Sequence, residues 1–73
     1  MSKKWKLYNV AKRYIEVIEQ MERTKDAQRL VDLEEQRVIW HNRLLLVLKR
    51  EGFAYKDREH VTNLAYQIVR EPQ

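Results

Sequence analysis

Hydrophobic positions recur along this chain with a helical period. Leu7, Ala11, Tyr14, Ile18 and Met21 follow one another at intervals of four, three, four and three residues, the stepping that aligns side chains on one helical stripe. Val10 and Val17 widen the stripe on one side, and Tyr8 and Ile15 widen it on the other. The resulting face covers about half the cylinder, broad enough to pack against more than one neighbour. Trp5 falls off the stripe, so a first helix is expected over approximately residues 6–23.

A second periodic segment, residues 26–51, carries two seams side by side. Ala27, Val31, Glu34, Val38, His41, Leu45 and Leu48 form the first; Leu30, Leu33, Arg37, Trp40, Leu44 and Val47 form the second. Ile39 and Leu46 add apolar surface on a third side, and around Leu44 to Leu48 the segment is apolar all round and must be enclosed. Lys49 and Arg50 followed by Gly52 form a stop signal: cations at the negative dipole end, then a residue that tolerates left-handed geometry. Asp57 is placed to cap a third helix over residues 57–71, with Val61, Leu64, Ala65, Ile68 and Val69 as a narrow apolar stripe and Pro72 limiting its end. Phe53 and Tyr55 in the connection are expected to plug the end of the bundle.

Neither Gly nor Pro separates the first two helical segments. Carrying about 100° per residue through residues 22–26 brings the second set of seams out roughly opposite the first stripe, so one continuous helix would show its apolar face first to one side and then to the other. A break near Arg23 to Asp26, with Thr24 or Asp26 as N-cap, brings the faces together as a hairpin; a straight helix in a swapped dimer satisfies the same pattern. The expected fold is therefore all-α. A long central helix runs antiparallel to helix 1 and a shorter C-terminal helix follows, in one domain over residues 1–73 that begins with a basic, flexible arm at residues 1–5.

Size adds a partner to this picture. A compact globule of 73 residues is about 28 Å across, whereas a helix of some 25 residues is about 37 Å long. With no Cys there is no disulfide frame or thiolate metal cluster to stabilise so short a chain, which leaves a second polypeptide as the natural support. The expectation is a homodimer, or capture of a larger protein, through Leu30, Leu33, Arg37, Trp40, Leu44 and Val47. Trp and Arg are the residue types that dominate interface energetics, while Trp40 as ordinary core with Arg37 lying past it is the competing reading.

Charge changes the picture further. Residues 1–25 hold seven Lys and Arg against three Glu, residues 26–51 balance five against five, and residues 52–73 balance three against three, so the net charge of +4 sits in the first third. Lys3, Lys4, Lys6, Lys12 and Arg13, with Trp5 and Tyr8 among them, form a basic patch suited to an acidic protein or to nucleic acid, where the cations would meet phosphates and the rings stack on unpaired bases. A solubilising role for the terminal lysines is the plainer alternative. No helix-turn-helix pattern surrounds Gly52, which argues against DNA recognition by a dedicated helix. A membrane-surface role for helix 1 is opposed by Glu16, Glu19 and Glu22 on its polar face. The longest apolar run, Leu44 to Leu48, is far short of the roughly 20 residues of a span, and Lys12 and Arg13 interrupt any signal-peptide core; a cytoplasmic location is expected.

Candidate chemistry is sparse. His41 follows Glu34 by two turns and reads either as an acid–base or metal pair or as a polar layer that sets helix register. Asp57 and His60 have the spacing of a weak metal pair, although capping is the more ordinary task for Asp57. Aside from four tyrosines the hydroxyls are Ser2, Thr24 and Thr62, and none has a His and an acid at nucleophile-activating spacing. One Gly rules out a phosphate-cradling loop. The expectation is a non-enzymatic interaction module without cofactor, metal or small-molecule substrate: a small regulator or inhibitor of the viral or mobile-element kind that binds a larger protein, with DNA binding through the basic N-terminal third as the alternative.

Overall fold

A computed structural model describes residues 6–70. It contains three helices, α1 (Leu7–Arg23), α2 (Ala27–Arg50) and α3 (Arg58–Arg70), and no strand among the described residues. Helix α1 is the central element: α2 packs against it on one side and α3 on another. This is what a half-cylinder apolar face requires. Val17 lines a cleft with Gln36 and Trp40 of α2, while Ile15 lines another with Tyr66 and Val69 of α3. The expected hairpin is present, and the longest dimension, 37 Å, matches the roughly 36 Å of a 24-residue helix.

Local chemistry accounts for the boundaries. Thr24 is extended, which ends α1 and turns the chain; Asp26, also extended, then caps α2 by accepting from the Gln28 amide at 3.0 Å. At the far end of α2 the Phe53 amide donates to Leu48 O at 2.9 Å and the Gly52 amide to Lys49 O at 3.1 Å. Gly52 at φ +85° completes this Schellman stop. Asp57 Oδ1 accepts from the His60 amide at 2.9 Å, which caps α3, and His60 Nδ1 accepts from the amide of Lys56, the residue before the cap, at 3.1 Å.

The core joins Val10, Ala11, Tyr14 and Ile15 of α1 to Leu44, Val47 and Leu48 of α2 and Val61 and Ala65 of α3. The hydroxyls of Tyr14 and Thr62 form a polar link across it at 3.0 Å. Phe53 and Tyr55 do not plug the bundle; they are 40% and 36% exposed, because the Schellman turn carries the chain outward before α3 begins. No helix among the described residues is long and apolar enough to cross a membrane.

Candidate functional site

The two α2 seams meet different fates. Of the second seam, Leu33, Leu44 and Val47 are buried, and Leu30, Arg37 and Trp40 are half-buried. This seam is the surface α2 uses to hold α1: Leu44 and Val47 join the core, and Trp40 packs half-buried against it. Of the first seam, Leu48 is buried, His41 and Leu45 are half-buried, and Ala27, Val31 and Val38 lie exposed.

Arg37 does not reach outward from the seam. Its guanidinium grips Glu34 with both arms, Nε to Oε1 at 3.1 Å and Nη2 to Oε2, one turn apart on the same helix. The pairing holds the Glu34 carboxyl below its usual range and raises Arg37 further, the mutual hydrogen bonds being the leading cause. Glu34 is thereby committed to Arg37 rather than to His41. The His41 ring instead lies tilted against Tyr14 with centroids 5.7 Å apart, and burial, followed by the nearby Arg37 cation, lowers its proton affinity. Its Nε2 is buried without a hydrogen-bond partner. His60 spends Nδ1 on the Lys56 amide, and no group of three metal-ligating side chains exists among the described residues.

The basic patch is split by helix geometry. Lys6, Lys12 and Arg13 are exposed and Tyr8 is half-buried; Lys3, Lys4 and Trp5 lie outside the described residues. Lys12 turns toward α3, where it lines a cleft with Ile15, Tyr66 and Val69. Arg13 turns toward α2. Its guanidinium stands 5.7 Å from the centre of the Trp40 ring, and that of Arg43 stands 4.7 Å from the same ring. The structure thus assembles a site from Arg13, Trp40 and Arg43, with Glu16, Gln20 and Gln36 at its edge. Arg43 was not among the candidates read from the sequence. Its signal was the three-residue spacing from Trp40, which puts the two side chains one turn apart on neighbouring positions.

Arg13 also makes a 3.7 Å contact with the exposed Glu16 carboxylate, a loose pair of the kind that contributes little in water. Comparison of the chain with protein-family models, with curated proteins and with solved structures finds no match.

Proposed function

We propose that the chain is a non-enzymatic, homodimeric interaction module that regulates or inhibits a larger protein by docking on an acidic surface of it. The observation that carries this reading is the Trp40 ring flanked by the Arg13 and Arg43 guanidiniums. Aromatic rings and arginines dominate the energetics of protein interfaces, and the guanidinium fork matches a carboxylate. Here the ring holds the forks in place before any partner arrives, which lowers the ordering cost of binding. The weak Arg13–Glu16 pair gives way to an incoming carboxylate at small cost. Lys6, exposed and seven residues before Arg13, adds long-range attraction.

Phosphates also suit these cations, but a ring that already carries two guanidiniums is poorly placed to stack on a base. The protein partner is therefore the better fit. Calorimetric titration with a glutamate-rich peptide at about 50 mM salt tests it. The Arg13→Gln/Arg43→Gln double variant is expected to bind at least about tenfold more weakly than the wild type while keeping its helical spectrum. Equal affinity of the two proteins contradicts the reading.

A further inference from the structure

The outer face of α2, turned away from α1, carries a pattern that, apart from the half-buried Leu45 at its edge, neither the core nor the Trp40 site uses. Val31, Val38, Ile39 and Leu46 are 55%, 43%, 42% and 70% exposed there. Asn42, Glu35 and Lys49 are exposed on the same helix, and Leu45 is half-buried. At about 100° per residue, all of these lie within about 60° of the direction of Asn42. They are also arranged symmetrically around it in sequence. Glu35 and Lys49 stand seven residues to either side, Val38 and Leu46 four, and Ile39 and Leu45 three.

We propose that a second copy of this chain packs antiparallel on this face, with the two-fold axis passing beside Asn42. The inference extends the homodimer part of the functional reading and gives it a surface. A two-fold contact must be self-complementary, and this face is. In the antiparallel arrangement Glu35 meets the partner's Lys49 at both ends. On one flank Val38 lies against the partner's Leu45, and on the other Ile39 lies against the partner's Leu46. Asn42 meets the partner's Asn42 at the centre, where a paired amide fixes register, as polar residues do at helix–helix seams. Asp32 and Arg50, at the rim, face each other in the same way. A parallel pairing would set Glu35 beside Glu35 and Lys49 beside Lys49, so the charges select the antiparallel form. The apolar run around Leu44 to Leu48 then becomes enclosed on every side, its inner members by α1 and Leu46 by the partner.

Sedimentation equilibrium on the full chain tests this. The wild type is expected at twice its 9.0 kDa chain mass at micromolar concentration. Glu35→Lys alone and Lys49→Glu alone each place like charges together twice across the axis, and each is expected to weaken the dimer at least about tenfold. The Glu35→Lys/Lys49→Glu double variant restores opposite charges and is expected to recover the wild-type constant. Both positions are exposed, and unchanged melting in dilute monomer shows that the fold is intact. A wild type that stays monomeric at about 100 µM overturns the proposal and the homodimer with it. A dimer insensitive to every variant, or a double variant that does not recover, overturns this face while leaving self-association standing. None of these outcomes touches the Arg13–Trp40–Arg43 reading.

Discussion

The Tyr14 hydroxyl donates to Thr62 Oγ1 across the core, 48 residues away in sequence, at 3.0 Å. The direction follows by elimination, because the single hydroxyl hydrogen of Thr62 is already given to the Arg58 carbonyl oxygen at 3.0 Å. The fully buried phenol thus reaches, through Thr62, the first turn of α3 and ties that short helix to α1.

Removing that hydroxyl tests the link. Tyr14→Phe keeps the ring in the core and deletes the donor, and is expected to destabilise the fold by about 1 kcal/mol, lowering the melting midpoint by roughly 4–8 °C in thermal unfolding. Thr62→Val removes the other partner and should add little on top of it. Fully additive losses in the double variant would show that the two hydroxyls act separately.

Leucines only two positions apart on α2 separate core from surface. Leu44 is 0% exposed and Leu46 is 70% exposed. Chemical denaturation is expected to show a loss of about 2–5 kcal/mol for Leu44→Ala. For Leu46→Ala in dilute monomer the change is expected to stay within about 0.5 kcal/mol. Similar losses for both would contradict the packing described.

The contrast also marks how far the sequence could be read. Helix positions, the turn at Thr24 to Asp26, the Asp26 and Asp57 caps and the Gly52 stop are local matters, written in periodicity and capping chemistry, and they appear where the residues indicate. The broad face of α1 foretold two neighbours for the same reason. Which seam of α2 would turn inward was not legible. Both step by threes and fours, and the choice depends on how α1 and α3 divide the space, a relation between residues far apart in the chain. The second seam, read as an interface, is the one that grips α1. The cation site was half visible: Arg13 and Trp40 stood out singly, but only the hairpin brings them to 5.7 Å.

His41 gives the fold a pH dependence with a definite sign. Burial and the Arg37 and Arg58 cations, partly opposed by a hydrogen bond with Asn42, hold its affinity for a proton below the ordinary value of 6.5. The unfolded chain therefore binds more protons in this range, so stability is full above about pH 6.5 and declines as the pH falls below it. Glu34, whose pKa is also lowered, acts in the same direction, but its contribution is lost only at pH values below the usual carboxyl value of 4.5. Melting curves between about pH 5 and 8 isolate the histidine, and His41→Phe is expected to flatten the slope. A slope that survives this substitution assigns it elsewhere.

Gly52 is required by its backbone rather than by crowding. Its φ is +85°, and an added Cβ meets nothing within 4 Å. Gly52→Ala is thus expected to cost about 1–2 kcal/mol through left-handed strain alone. Gly52→Asn should cost less, since Asn tolerates that region, and denaturant midpoints of the two variants rank them.

The most direct test of the account is a side-by-side anisotropy titration of a labelled oligoglutamate chain and of labelled mixed-sequence DNA, single- and double-stranded, across about 50–200 mM salt. Binding of the acidic polypeptide, weakened by salt and by Arg13→Gln/Arg43→Gln, with flat DNA curves, is the expected result. Micromolar DNA binding that falls steeply with salt, beside a flat polypeptide curve, would contradict it and transfer the role of Arg13 and Arg43 to phosphate contact.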